Sequence, residues 1–137
     1  MTAIAQTTRL SDPAKPPAVS SDMVAVKALV RVCQAWKSTA PEAAGLAGVS
    51  DRTWSRMKAQ RWDGSMTLDQ RHRASAIVGL YKGLHLYFSD DLADKWPKMR
   101  NRGPLFQGDT PVENMMKGGL PAILATRDYV DAVRGGV

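Results

Sequence analysis

The chain has 137 residues, 44% of them hydrophobic, with a formal net charge of +6 and a single cysteine, Cys33. This length fits one compact domain or two very small ones, and the composition excludes a disordered or fibrous protein. One cysteine excludes an intramolecular disulfide framework and a Cys-rich zinc site. The longest stretch without a charged residue, 118–126, is too short to span a membrane, and no basic segment followed by an apolar segment opens the chain, so we expect no signal peptide. We therefore expect a cytoplasmic protein that does not contact a membrane.

The first 22 residues contain three prolines and no aromatic residue, which predicts a flexible N-terminal arm. Helical spacing of apolar residues begins directly after this arm. Capping residues and turn glycines then mark three helices: one from Met23, one over 41–47 before Gly48, and one over 51–60 after Ser50. We expect residues 62–65 to form a loop.

The second half of the chain also has only helical patterns. Thr67 is the expected N-cap of a long fourth helix, and this helix has one apolar stripe: Ala74, Ile77, Tyr81, Leu84 and Phe88. We next expect a short helix over 91–96 and an irregular stretch over 97–109. A further helix should start from a Thr110–Glu113 capping box and stop at Gly118-Gly119. The last helix is expected from Pro121 to about Val133. The prediction is an all-α protein, with an arm (1–22) and two helical units (23–66 and 67–137).

The two short helices around Gly48 have the pattern of a helix-turn-helix unit. Such a unit needs a small residue where its helices cross, a glycine in the turn and apolar residues that lock the helices together. All of these positions have suitable residues: Ala43, Ala44, Ala47, Gly48, Val49, Trp54 and Met57. An Ala/Gly-rich corner that merely packs is the alternative. Four basic residues without an acid within 52–61 favour DNA binding.

If the unit binds DNA, the second helix of the pair lies in the major groove. The predicted DNA-binding residues are the polar and basic residues of this segment: Ser50, Arg52, Thr53, Ser55, Arg56, Lys58 and Arg61. Arg52 and Arg56 are one turn apart and suit guanine edges, whereas Lys58 and Arg61 suit phosphates. Because one unit binds weakly, we expect a homodimer that reads half-sites roughly 34 Å apart.

The sequence offers little material for catalysis. His72 and His85 are thirteen residues apart and make no metal pair, and Cys33 has the pattern of a packed core thiol. A three-carboxylate metal site at Asp90, Asp91 and Asp94 is a weak alternative, because these acids also suit a helix start. We expect no catalytic residue, no metal and no cofactor.

The C-terminal part carries short motifs in a recognisable order: Lys95-Trp-Pro, Asn101, Leu105-Phe-Gln-Gly108-Asp-Thr-Pro111, Met115-Met-Lys-Gly118-Gly and Tyr129-Val-Asp-Ala-Val-Arg-Gly-Gly136. This segment resembles the toxin-binding domain of Xre/MbcA/ParS antitoxins, and the ParS-like branch is the most similar. The helix-turn-helix pattern resembles the Xre-like half of the same antitoxins. Together the likeness covers residues 23–137. Two features depart from the family pattern: Val112 replaces a common leucine, and the 98–102 insert is more basic than usual.

The resemblance implies an antitoxin of a type II toxin–antitoxin system. Its partner would be a cognate RES-domain toxin that degrades NAD or uses it for ADP-ribosylation, and the complex would repress its own operator DNA. The positions that match the family's motifs are the expected toxin-binding residues: Trp96, Asn101, Phe106, Gly108, Pro111, Tyr129, Val133, Arg134, Gly135, Gly136 and Val137. A narrow Arg134–Val137 tail, with its terminal carboxylate in an anion site, or the preceding helix would occlude the toxin's active site. The two glycines of the tail also fit a simple helix stop.

Two other functions stay open on the sequence alone. One is a stand-alone Xre-type transcription regulator whose C-terminal helices serve dimerisation or effector sensing. The other, weaker one is a metal-dependent enzyme that uses the carboxylates of 90–94.

Overall fold

A computed structural model describes residues 20–134, the side chain of Arg134 excepted. Six α-helices and one short 3-10 turn follow one another along the chain: α1 (Ser21–Ala35), α2 (Ala40–Ala47), α3 (Asp51–Lys58), α4 (Leu68–Tyr87), α5 (Asp90–Lys95), the turn Trp96–Lys98, and α6 (Pro111–Arg134). No strand occurs among these described residues. The prediction of an all-α protein is confirmed, whereas the predicted arm up to residue 19 lies outside the described residues.

Serine and threonine caps fix where the helices begin. The predicted capping box is present at Thr110, and the predicted cap Thr67 also forms one: each threonine hydroxyl accepts the backbone N–H of the residue three positions on, whose side-chain oxygen accepts the threonine's own N–H. The first helix starts two residues before the expected Met23, because the Ser20 hydroxyl accepts the Met23 N–H at 3.1 Å. The third helix ends at Lys58 instead of the expected Gln60, because Gln60 has a left-handed φ of 61°.

The last helix contains the interruption that the sequence predicts. Gly119 has φ 67° and ψ −152°, which is not helical, so α6 consists of two helical stretches joined by a kink. Most L-residues avoid this positive φ, and glycine adopts it at little cost. The Gly118-Gly119 stop and the restart near Pro121 are therefore both present.

The core is organised around α4, which packs against α1 on one side and α6 on the other. Ala74, Ile77 and Leu84 of the predicted apolar stripe are at most 1% exposed, while Tyr81 and Phe88 are half-buried. One cluster of buried residues runs from Val26 in α1 to Val130 in α6. The core is thus continuous across residues 66 and 67, where the sequence divides into its two predicted units.

Candidate nucleic-acid interface and C-terminal loop site

The α2–turn–α3 unit has the packing that its sequence predicts. Ala43, Ala44 and Ala47 of α2 are at most 2% exposed, Trp54 and Met57 are 3% exposed, and Val49 is half-buried. The turn itself depends on Gly48, whose φ of 75° ends α2 in the left-handed region. Two short helices are thereby held in a fixed relation, and α3 is left with one face turned to solvent.

An arginine outside the unit fastens this turn to the rest of the protein. Arg73 of α4 donates from Nη1 to the carbonyl oxygens of Gly45 at 3.0 Å and Leu46 at 3.5 Å, and its Nε bonds the Asp69 carboxylate at 2.7 Å. A cation at the carbonyl end of α2 also complements the helix dipole. No sequence pattern marks Arg73 as part of this turn, because the two carbonyl groups that it contacts lie 27 and 28 positions away in the chain.

At the start of α3, some of the predicted DNA-binding residues cap the helix and others are exposed to solvent. The Ser50 hydroxyl accepts the Thr53 N–H at 3.1 Å and donates to the Thr53 hydroxyl at 3.1 Å, so both residues hold the helix start. Ser55 is exposed. Arg52 is also exposed, and no carboxylate of the described residues lies within 4.0 Å of it. Its guanidinium is available for a bound anion or a base edge.

The remaining predicted cations lie at and beyond the end of α3. Arg56 is 4.0 Å from the Asp63 carboxylate, with side chains 54% and 96% exposed, so this ion pair contributes little. Its guanidinium also lies 3.5 Å from the Arg61 carbonyl oxygen. Lys58 and Arg61 are exposed and form no ion pair within residues 20–134. Arg56 and Lys58 suit the carbonyl end of a helix as well as a phosphate backbone.

The predicted toxin-binding segment forms a loop that is closed by its own backbone. The Asn101 N–H donates to the Asp109 carbonyl at 3.1 Å, and the Gly108 N–H donates to the Asn101 carbonyl at 2.8 Å. The Asn101 side-chain oxygen accepts the Gly103 N–H at 2.9 Å. Gly108 has φ 92°, which favours glycine. Asn101 and Gly108 therefore shape the loop from within.

Three aromatic rings anchor this loop to α6. Phe106 packs edge-on against Tyr129 at 5.4 Å and against Trp96 at 5.7 Å, and Trp96 stacks on Tyr129 at 6.4 Å between ring centroids. Phe106 is 1% exposed and Pro111 is also buried, whereas Trp96, Tyr129 and Val133 are half-buried. Phe106 and Pro111 can therefore support a binding surface but cannot themselves contact a partner in this conformation.

Two of the three basic residues in the 98–102 insert bond to other parts of the protein. Lys98 pairs with Glu42 of α2 at 3.0 Å and donates to the Lys37 carbonyl, and Arg100 donates to the Gly108 carbonyl at 3.2 Å. Arg102 is exposed, without an ion pair to any described residue. Arg134 ends α6, and Gly135, Gly136 and Val137 lie outside the described residues.

His85 and Cys33, which the sequence offers as candidates for chemistry, are both engaged within the fold. Each ring nitrogen of His85 lies 2.8 Å from a carboxylate, Nδ1 from Asp90 and Nε2 from Asp94. Partial burial alone would lower the pKa of His85, but these two hydrogen bonds outweigh it and the pKa is raised. Burial raises the pKa of the Cys33 thiol to about 12. Within residues 20–134, no group of three His, Cys, Asp or Glu side chains is placed to hold a metal ion.

Comparison with known proteins gives a relative but no family. No protein-family model matches the chain. The chain is similar to the uncharacterized protein y4oB of Sinorhizobium fredii (strain NBRC 101917 / NGR234), with 28% identity over 132 residues that cover 93% of this chain and 100% of the relative. Among the described residues, no helix combines the length and hydropathy needed to cross a lipid bilayer.

Proposed function

We propose that this chain is the antitoxin of a type II toxin–antitoxin module. It occludes the active site of a RES-fold toxin that uses NAD, and it represses its own operon by binding DNA as a homodimer. The observation that carries the proposal is the exposed basic face of α3 on a helix pair whose turn is fixed by Gly48 and Arg73. The protein performs no reaction itself.

On the DNA side, α3 enters the major groove with its N-terminal end leading. Arg52 and Arg56 each donate two hydrogen bonds to a guanine edge, while Lys58 and Arg61 neutralise phosphates on the flanking strands. The Ser50 cap keeps the first turn of α3 regular, so that the arginines stay one turn apart. Specificity comes from the two arginines, and salt-dependent affinity comes from the two flanking cations.

On the toxin side, the closed loop and the end of α6 form the contact surface. The aromatic anchor of Trp96, Phe106 and Tyr129 keeps the loop rigid, which lowers the entropic cost of binding. Inhibition is steric, through α6 or the Arg134–Val137 tail, because no nucleophile or metal site is needed to block a substrate cleft. This half rests on the motif resemblance together with the loop geometry.

A stand-alone transcription regulator is the second candidate. One observation favours it: Met116 of α6 packs on Gly45 of α2, where an added Cβ would lie 3.1 Å from the Met116 Cε. A C-terminal half built into the same core as the DNA-binding unit suits dimerisation or effector sensing. A metal-dependent enzyme is disfavoured, because Asp90 and Asp94 are engaged by His85.

Two assays test the two halves separately. Against a DNA fragment that spans the promoter of its own gene, Arg52→Ala/Arg56→Ala is expected to bind about 100-fold more weakly. The matched control Lys37→Ala/Arg102→Ala, which removes two exposed cations elsewhere, is expected to bind normally. Unchanged binding by the first variant would refute the DNA contact.

The second assay combines the purified chain with the product of the neighbouring gene and measures NAD consumption. The two proteins are expected to copurify, and consumption is expected to stop when this chain is present. Strong DNA binding without any effect on the neighbouring protein would favour the stand-alone regulator over the antitoxin.

A further inference from the structure

An open groove runs between α1 and α4, on a surface that neither proposed activity uses. Its wider part has a volume of about 630 Å³ and an apolar floor: Val24, Ala28, Val32, Val78 and Tyr81. A continuation of about 510 Å³ extends the groove along the same two helices toward Ser21. Val24 is 56% exposed, and burial of this side chain by a bound partner would be favourable. We call this surface the α1–α4 groove.

The rim of the α1–α4 groove is almost entirely cationic. Lys27 and Arg31 lie on the α1 side and Lys82 on the α4 side, while Arg71 and Arg127 border the continuation. No carboxylate of the described residues is within 4.0 Å of Lys27, Arg31 or Lys82. The single acidic residue of the lining, Asp22, is paired with Arg71 at 2.9 Å.

We propose that the α1–α4 groove binds an amphipathic helix of a partner protein, with an apolar face flanked by acidic residues. The groove is lined from Ser21 to Val32, which corresponds to about 16 Å of helix and matches about three turns of a bound helix. A helix of that length would place apolar side chains at positions i, i+3, i+4 and i+7 on the groove floor. Its acidic flanks would pair with the cationic rim.

Charge decides between this occupant and two others that the chain itself could supply. A second copy docked across a two-fold axis would place Lys27, Arg31 and Lys82 against the same cations of its partner. The residues before α1 carry Arg9 and Lys15 against Asp12, so that segment is itself net positive. An acidic partner alone satisfies both the floor and the rim.

The probes for this inference are two synthetic peptides of about 14 residues with the same leucine pattern. One peptide has glutamate flanks and the other has lysine flanks. In a titration of the isotope-labelled full chain, the acidic peptide is expected to produce saturable NMR shifts at the amides of Val24, Ala28 and Val78. The basic peptide is expected to produce none there.

Charge reversal makes the test specific to the groove. Lys27→Glu/Lys82→Glu is expected to weaken the acidic peptide by about fivefold or more and to gain binding of the basic peptide. The control Lys37→Glu/Arg102→Glu changes the net charge equally at exposed positions elsewhere and is expected to keep the original preference. Circular dichroism verifies that both variants retain their helices.

Several results would overturn the inference. Equal binding of both peptides, absence of binding, or shifts that map outside the groove would each do so. So would a loss of self-association in Lys27→Glu/Lys82→Glu, which would assign the groove to a second copy. A loss of affinity for promoter DNA in that variant would assign the rim to nucleic acid, and peptide binding only after removal of residues 1–19 would assign the groove to the chain's own N-terminus. The promoter assay of Arg52→Ala/Arg56→Ala and the NAD assay use different variants and readouts, so a failure of the groove inference and a failure of the proposed antitoxin remain distinguishable.

Discussion

Replacement of Gly48 by alanine perturbs the turn on which the α2–α3 unit depends. The residue has φ 75°, and an added Cβ would lie 2.9 Å from the Arg73 Nε and 3.0 Å from its Cδ. The Arg73 guanidinium would have to move, and it currently donates to the Gly45 and Leu46 carbonyl oxygens. The substitution therefore combines backbone strain with loss of the arginine that fastens α2 to α4.

The size of the effect follows from these two contributions. A left-handed conformation costs an L-residue about 1–2 kcal/mol, and a lost hydrogen bond to a charged donor adds about 1 kcal/mol or more. Gly48→Ala is expected to lower the free energy of unfolding by about 2–3 kcal/mol. For a domain of this length, the midpoint of thermal unfolding would then fall by about 8 °C.

Urea unfolding followed by tryptophan fluorescence measures the change directly. Gly108→Ala is the matched control, because Gly108 has φ 92° and no atom within 4 Å of an added Cβ. It isolates backbone strain and is expected to cost about 1–2 kcal/mol. The reasoning fails if Gly48→Ala proves no more destabilising than this control. Binding to the promoter fragment, measured where Gly48→Ala is still folded, is expected to weaken as well.

Three further outcomes are expected. Phe106→Ala removes a ring that is 1% exposed and packs on Trp96, so it is expected to destabilise the protein by about 3–4 kcal/mol in urea unfolding. A loss of stability below about 1 kcal/mol would contradict the role of Phe106 as an anchor. Because the pKa of His85 is raised in the folded state, its contribution to stability is complete below the unfolded value of 6.5 and is lost as the pH rises through the folded value. When the free energy of unfolding is measured over about pH 5–9, this fall in stability with rising pH is expected to be absent in His85→Gln and present in His72→Gln. Cys33 is 3% exposed, so a thiol reagent is expected to label it only after unfolding, and rapid labelling of the native protein would contradict its burial.

Local sequence signals predicted most of the fold, because the helix ends depend on nearby residues. Thr67 and Thr110 begin their helices through bonds that reach three residues along the chain. Gly48 and Gly119 end or kink helices through their own backbone angles. Two predicted boundaries are wrong by two residues, at Ser21 and Lys58, and the short helix predicted over 91–96 and the start of the helix predicted over 41–47 are each displaced by one residue, as is common at helix ends.

The candidate sites were less predictable, because their geometry depends on contacts between distant residues. Arg73 reaches the turn of the α2–α3 unit from α4, and no periodic pattern marks that contact. Phe106 matched a motif expected at the toxin interface, but the structure buries it beneath the loop. Exposure of Arg52 at the start of α3 was predictable, because Trp54 and Met57 fix which face of that helix is buried.

The continuous core constrains how the two proposed activities can coexist. The first half of α6 packs beneath α2 through Met116, and an added Cβ on Gly119 at the kink would lie 3.3 Å from the Arg73 Nη2. Arg73 thus lies between the turn of the α2–α3 unit and the kink of α6. A partner that grips the loop and α6 is consequently held in a fixed orientation relative to α3, because packed cores do not bend continuously. In the proposed antitoxin, the position of the bound toxin relative to the operator is then set by the fold itself, and a toxin that overlaps the DNA would release the repressor without any rearrangement of this chain.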